Sequence, residues 1–404
     1  MTIAADETTQ PHRETDYIDL EHTGPGTLAG RYMRRFWHPV YTSEDLKPGW
    51  SVPIMIMSEP LTLYRGESGD PHLVDFRCAH RATQLSTGWV EDDCIRCRYH
   101  GWKYDGSGQC VEAPLENPNF HRRIRIKSYP VQEYLGLIFA YMGEGTPPPL
   151  PHYHWFDQEG VLETKATPRD CNYFNELEND PEHVGFTHRD PKLPRGVFNT
   201  GLKARFEESS WGIAQYRTYP TGYWVVHHGM PNIHSTSSRG PELRFKVPID
   251  DEHHVSFMVA LKLLTGEAAA QRREHHATAE RVAVAQIPVH DELLAAIFAG
   301  KVRLRDVDAD PPPGISMINV QDEVTQIGQG KIRDRRQEHL GQSDAYVVLL
   351  RTIWERELRA LAEGRPLKDW HFTEDLQDTP RPFARDGEEL WARDQVVAAA
   401  PEQA

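Results

Sequence analysis

Cys78-Ala79-His80-Arg81 and Cys97-Arg98-Tyr99-His100-Gly101-Trp102-Lys103-Tyr104, with sixteen residues between His80 and Cys97, decide how this chain is read. Each stretch delivers one thiol and one imidazole from a short loop. An iron–sulfur cluster with unlike ends takes such a set: one iron binds both sulfurs and the other binds both ring nitrogens. That exchange raises the potential above an all-thiolate centre. A structural zinc site could use overlapping atoms, because Cys94-Ile95-Arg96-Cys97 is a Cys-x2-Cys pair with His100 three residues on. A zinc-stabilised ligand-binding or interaction protein therefore stands as the alternative. After His100, Gly101 makes a turn, Trp102-Lys103-Tyr104 reads as a half-buried strand, and Asp105-Gly106-Ser107-Gly108 as a Gly-rich hairpin.

The chain of 404 residues has room for two or three domains. Its 45 basic and 60 acidic residues give a net charge of −15, which opposes binding to nucleic acid or anionic membranes. No apolar run approaches the length of a membrane span, and the first seventeen residues are polar and acidic, unlike a signal peptide. Five cysteines, two of them committed to a cluster, leave an odd remainder (Cys94, Cys110, Cys171) that suits a reducing cytoplasm better than a disulfide framework.

Residues 1–16 read as a tail, and 24–37 carry an amphipathic helical pattern (Leu28, Tyr32, Phe36). Short strands follow at 52–57, 61–64, 72–76 and 136–141, as in a small all-β domain with the metal ligands at its loop tips. Gly143-Glu-Gly-Thr-Pro-Pro-Pro-Leu-Pro151 is a linker. Beyond it come a helix from 172 to 188, alternating segments at 202–207, 213–219, 223–228 and 254–263, and a helical stretch 268–300 interrupted by Pro288. Pro311-Pro312-Pro313-Gly314 breaks the chain again. A final helix, capped by Ser343-Asp344, runs to about 362 with Val347, Leu350, Trp354, Leu358 and Leu361 on one face.

Within the 172–188 helix, Asp180-Pro181-Glu182-His183-Val184-Gly185-Phe186-Thr187-His188 places two histidines five apart, with a carboxylate three before the first. His183 and His188 can converge on one metal. Two imidazoles and a carboxylate on one face suit Fe(II) and leave positions open for O2. A surface helix with solvated histidines is the plainer reading of the spacing alone. The third ligand must come from elsewhere, with Asp322, Glu323, Asp334 and Asp344 as candidates. Asp322 and Glu323 equally suit the acid-rich first turn of a helix, and Asp334, Arg335 and Glu338 read as a charged helix face. Asn179 is a weaker candidate near the metal, or a cap.

Taken together, Cys-x-His-Arg, Cys-x2-His-Gly-Trp-x-Tyr and Asp-x2-His-x4-His resemble the Rieske non-haem iron aromatic oxygenases, in the phthalate dioxygenase and aryl O-demethylase group. The likeness covers roughly residues 20 to 365. It implies an α+β architecture: an N-terminal tail and helix (1–40), an all-β Rieske [2Fe–2S] domain (41–145), and a catalytic domain (152–404). The last would be an antiparallel sheet flanked by helices, START-like or helix-grip. It also implies that Cys78, His80, Cys97 and His100 hold the cluster and that His183, His188 and Asp322 hold mononuclear Fe(II). Asp180 would bridge a cluster histidine and an iron histidine. Relatives place Gly after Cys-x-His-Arg; this chain has Ala82. Ala82 and Tyr99 also replace the two further cysteines of respiratory Rieske proteins.

No Gly-x-Gly-x-x-Gly follows a strand, so electrons are expected from a separate reductase, which the resemblance implies is a flavin and ferredoxin-type protein using NADH. The resemblance further implies a homotrimer in which one subunit's cluster serves its neighbour's iron, acting with O2 on an aromatic acid. O-demethylation of a methoxylated, lignin-derived acid is expected, with cis-dihydroxylation of a phthalate-type acid as the alternative. Candidate pocket residues are Tyr216, Tyr223, Trp224, Phe245 and Phe257. Candidate anchors for a carboxylate are Arg205, Arg217, Arg244 and His228.

Overall fold

The computed structural model describes residues 18–179, 203–219, 222–236, 241–313 and 315–372. The strands, in chain order, are β1 (Trp37–Thr42), β2 (Ser51–Ile56), β3 (Glu59–Arg65), β4 (Pro71–Asp75), β5 (Trp89–Glu91), β6 (Cys94–Arg96), β7 (Lys103–Asp105), β8 (Cys110–Glu112), β9 (Ser128–Tyr129), β10 (Val131–Tyr134) and β11 (Leu137–Tyr141). The second part holds β12 (Val161–Arg169), β13 (Lys203–Glu208), β14 (Gly212–Tyr219), β15 (Gly222–Gly229), β16 (Ile233–Thr236), β17 (Glu242–Pro248) and β18 (His254–Lys262). Helices are α1 (Leu28–Met33), α2 (Tyr173–Leu177), α3 (Gly266–Phe298), α4 (Leu304–Ala309), α5 (Met317–Ile327) and α6 (Ala345–Ala362).

The first eleven strands form three small antiparallel sheets, ordered β1-β11-β10, β2-β3-β4-β9 and β5-β6-β7-β8. The rest form one antiparallel sheet of seven, β12-β18-β17-β16-β15-β14-β13. Helix α3 touches β12 at one edge and α6 touches β13 at the other, which makes the α+β arrangement of a sheet held by helices.

The larger of two cores runs through both parts. Strand β11 (Leu-Ile-Phe-Ala-Tyr) is buried along its length between β1 and β10, and Phe139 meets Phe245 of β17 edge-on at 5.6 Å. Trp354 of α6, wholly buried, packs against Tyr32 of α1 at 5.2 Å and Phe174 of α2 at 5.4 Å. Beginning and end of the described chain thus share one aromatic contact.

Several expectations shift. The helix expected over 24–37 is the six-residue α1, because Thr27 caps it and Arg34 ends it. The Thr27 hydroxyl accepts from the Gly30 N–H at 3.1 Å. The break expected at Pro288 does not stop α3, which runs 33 residues; proline deletes one backbone donor and its neighbours carry the helix on. β12, β16 and β17 were not legible as strands. Asp334, Arg335 and Glu338 do not form a helix face: Asp334 caps a single 3-10 turn, while Arg335 and Glu338 enter a buried ion network.

Candidate metal centre

Two loops meet at the tip of the β5–β8 sheet. In the first, Cys78 N–H donates to Thr83 O at 2.8 Å and Ala82 N–H returns to Cys78 O at 2.9 Å. The second closes the same way, Cys97 N–H to Trp102 O at 2.8 Å and Gly101 N–H to Cys97 O at 3.0 Å. Both need a left-handed residue. Gly101 supplies one at φ +74°, and Ala82 stands at φ +60°, which explains why glycine suits that position and shows that the loop forms without it. Arg77 and Arg96 tie the loops to the sheet through Ala82 O (2.9 Å) and Gly101 O (2.8 Å).

Cys78 and Cys97 are buried and unpaired, on a small core of Tyr64, Ile95, Trp102, Tyr104 and Cys110. Burial pushes the Cys78 thiol up, while the Tyr104 hydroxyl draws it down and Cys97 beside it adds repulsion. The Tyr104 oxygen lies 3.2 Å from Cys78 Sγ and accepts the Ala79 N–H at 3.2 Å. His80 and His100 pair at 4.5 Å between ring centroids, and His80 stacks flat on Trp102 at 4.5 Å and 7°. His80 Nδ1 is buried with no hydrogen-bond partner. Partial desolvation first, then the neighbouring His80 and Arg81, lower His100 below its ordinary value.

The arrangement is two pairs, thiol beside thiol and imidazole beside imidazole. A tetrahedral zinc would hold its ligand atoms about 3–4 Å apart, from bonds of roughly 2.0–2.3 Å. Among the described residues, the His, Cys, Asp and Glu triples within 4.8 Å of one another are His152, His154, Asp157 and Asp19, Glu21, His22; neither contains any of the four. The zinc reading therefore loses its site, while a binuclear cluster with unlike ends fits the pairs and the orphaned His80 Nδ1.

Asp180, His183 and His188 lie outside the described residues. Their segment starts from an anchored base: α2 ends at Leu177, and Glu178, at 1% side-chain exposure, receives Arg335 Nη2 at 2.8 Å and Arg351 Nε at 2.5 Å. Asn179 is exposed, its N–H donating to Glu176 O at 3.2 Å. Asp322 is half-buried on α5 and electrostatically coupled to Arg244. Its neighbour Glu323 turns into a buried pair with Arg169. Glu176 of α2 binds Lys246 and His254; burial would raise its carboxyl, but the Lys246 charge and the hydrogen bond with His254 hold it well below the usual range. Sequence reasoning missed this network because isolated charges in strands read as solvent-facing.

Of the pocket candidates, Phe245 and Phe257 belong to the continuous core. Tyr216 is half-buried under the Arg205 guanidinium at 4.4 Å, and Arg205 itself pairs with Glu207. Arg244 pairs with Glu242 at 2.8 Å, and His228 is buried between Gln215 (3.2 Å) and the Tyr346 hydroxyl (3.0 Å). The side chains of Arg217, Tyr223 and Trp224 lie outside the described set.

Residues 36–130 match the model of the Rieske [2Fe–2S] domain. The 5,5'-dehydrodivanillate O-demethylase oxygenase subunit of Sphingobium sp. (strain NBRC 103272 / SYK-6) is 32% identical over 373 residues, 86% of this chain and 81% of that protein. The phenoxybenzoate dioxygenase subunit alpha of Ectopseudomonas oleovorans is 27% identical over 390 residues, 88% of each. In structure, the chain resembles the oxygenase in the reduced oxygenase–ferredoxin complex of carbazole 1,9a-dioxygenase. The TM-score is 0.57 at 19% identity, over 82% of this chain and 93% of that one. The chain belongs to the Rieske non-haem iron oxygenases. Among the described residues no helix is long and apolar enough to cross a membrane.

Proposed function

We infer that this chain is the terminal oxygenase of a multicomponent system that O-demethylates a methoxylated, lignin-derived aromatic acid. The observation that carries it is the pairing of two buried thiols and two imidazoles at one loop tip, in a chain similar almost throughout to a dehydrodivanillate O-demethylase subunit. The overall change is balanced as Ar–OCH3 + O2 + 2e− + 2H+ → Ar–OH + HCHO + H2O. We assign Cys78 and Cys97 to one iron of the cluster and His80 and His100 to the other. His183, His188 and Asp322 we assign to mononuclear iron.

When bound, these groups supply single electrons and a site for O2 activation. The chain's own residues do the rest. Tyr104 directs its O–H to the Cys78 sulfur, and Trp102 fixes the His80 ring plane. To Asp180 we assign the role of accepting the distal N–H of an imidazole, which would hold its tautomer. Because Asp180 would meet a histidine of the next subunit, the reading includes a homotrimer of heterologous contacts. It divides the chain at 1–40, 41–145 and 152–404. Electrons come from NADH through a separate flavin and ferredoxin-type reductase, in a cytoplasm that keeps all five cysteines reduced.

The second reading, cis-dihydroxylation of an aromatic acid, is favoured by the likeness to phenoxybenzoate dioxygenase. Supplying NADH, a phthalate-type reductase, O2 and a panel of methoxylated and plain aromatic acids tests both. One formaldehyde per NADH supports demethylation, and a cis-diol without formaldehyde supports the alternative. Oxidation of neither class refutes the assignment. Asp180→Asn should keep both metals and lose most turnover; full activity would remove Asp180 from the bridge.

A further inference from the structure

His152-Tyr153-His154-Trp155-Phe156-Asp157 follows the proline-rich linker and divides its side chains between the core and water. Tyr153, Trp155 and Phe156 are buried, while His152, His154 and Asp157 are each about half exposed. The buried three fix the turn. Tyr153 N–H donates to the Tyr134 hydroxyl at 2.9 Å, and Trp155 lies against Phe372 at 4.3 Å between ring centroids. Phe156 N–H and Asp157 N–H donate back to Tyr153 O and His154 O at 2.9 and 3.0 Å, which closes a single 3-10 turn. The polar three are thereby gathered on its outer side.

There they face one another. His152 Nδ1 and His154 Nδ1 stand 3.1 Å apart, with ring planes crossed at 82°. Asp157 Oδ1 lies 3.1 Å from His152 Nε2, and Asp157 Oδ2 lies 3.6 Å from His154 Nδ1. One ligand atom from each residue falls within 4.8 Å of the other two. A single ion with bonds of about 2.0–2.2 Å to nitrogen and oxygen spaces its ligands about 3–4 Å apart. Exposed ion pairs are worth little and cost side-chain freedom, so mutual attraction alone is a weak reason for three half-exposed groups to converge. Two imidazoles with one carboxylate suit zinc, copper(II) or nickel(II), and are too nitrogen-rich for magnesium or calcium. The other described triple, Asp19, Glu21 and His22, is committed elsewhere, because Glu21 binds Arg335.

We propose that His152, His154 and Asp157 form a surface site for one zinc-class divalent ion, completed by water, which clasps the turn where the chain leaves its linker. That turn carries Trp155 against Trp211, beside β14, at 6.1 Å and against Phe372. An ion held there therefore steadies a junction between segments far apart in sequence. Binding displaces any proton the two imidazoles carry and involves no electron transfer. The site rests on the β1-β11-β10 sheet through Tyr134, not on the β5–β8 sheet that bears the cysteine–histidine loops. It needs neither iron centre and no choice of substrate.

The test uses the full-length protein with its iron centres loaded and zinc chloride as the probe, titrated in competition with a zinc-sensitive chelating dye. Zinc can enter other sites too, so the readout is the difference between parent and variants. His154→Asn and Asp157→Asn, both at half-exposed positions, should each weaken one zinc per chain by at least about tenfold, since loss of even an outer hydrogen-bond partner of a metal ligand costs that much. His22→Asn, in the other triple, should leave the parent's binding unchanged. Zinc should also raise the thermal midpoint of the parent more than that of His154→Asn, because an ion that binds only the native state stabilises it. Magnesium should not compete. Equal zinc binding by parent and His154→Asn overturns the proposal and leaves an adventitious ion only. Zinc-dependent association of the parent by light scattering also overturns it, because a second chain would then complete the site.

Discussion

Replacing Arg335 by methionine probes a buried ion network that joins three distant parts of the chain. Its guanidinium, 4% exposed, binds Glu21 through Nη1 and Glu178 through Nε (3.2 Å) and Nη2 (2.8 Å), and lies over the Phe174 ring at 5.0 Å. Glu178 keeps Arg351 and Arg333 after the change, so Glu21, 3% exposed, is the carboxylate most deprived. Removing one member of a buried pair costs about 3–5 kcal/mol, because the remaining charge is out of water and loses a counter-charge. A desolvated cation–π contact adds up to about 2 kcal/mol. Arg335→Met should therefore lower unfolding free energy by about 3–7 kcal/mol, read as a fall in urea midpoint at unchanged m-value. Glu21→Gln on top of it removes the stranded charge and should return about 1–3 kcal/mol. A single-variant loss below about 1 kcal/mol, or no recovery in the double variant, refutes the argument that burial makes this joint strong.

Three further outcomes are expected. His38 is wholly buried, donating to Met33 O at 2.8 Å, and burial pulls it from 6.5 to about 4. The unfolded chain takes the proton first, so the stability is present above pH 6.5 and is lost as pH falls toward 4. It amounts to about 3 kcal/mol relative to His38→Gln, by denaturation at stepped pH. Tyr104→Phe removes the hydroxyl 3.2 Å from Cys78 Sγ and should shift the cluster potential negative in a redox titration, since a donor to sulfur favours the reduced state. Ala82→Gly relieves a left-handed alanine at φ +60° and should raise stability by about 0.5–1 kcal/mol in thermal unfolding, with cluster absorbance unchanged.

The paired loops were readable from sequence because ligand chemistry tolerates few alternatives: Cys78, His80, Cys97 and His100 meet as their spacing implies. The strands β2, β3, β4 and β11 were also legible, since they alternate or are uniformly apolar. What failed to show was long-range. Lys246 and His254 sit in strands whose partners come from Glu176, some seventy residues away, and a charge in a strand carries no mark of whether a counter-charge meets it. Arg335 looked like part of a charged helix face because its partners, Glu21 and Glu178, are far off in sequence. The shortening of α1 came from a local signal, the Thr27 cap, outweighing an amphipathic pattern that extended past it.

The Phe139–Phe245 contact and the Trp354 junction have a practical consequence for anyone dissecting this protein. A fragment cut at 143–151 would retain Cys78, His80, Cys97 and His100 yet lay bare the underside of β11 and one side of β1. Such a fragment should clump on expression unless those faces are redesigned, however well its loops close around iron. Electron-transfer work on the isolated piece would then report on a misassembled surface, so the intact polypeptide is the smallest sensible object of study.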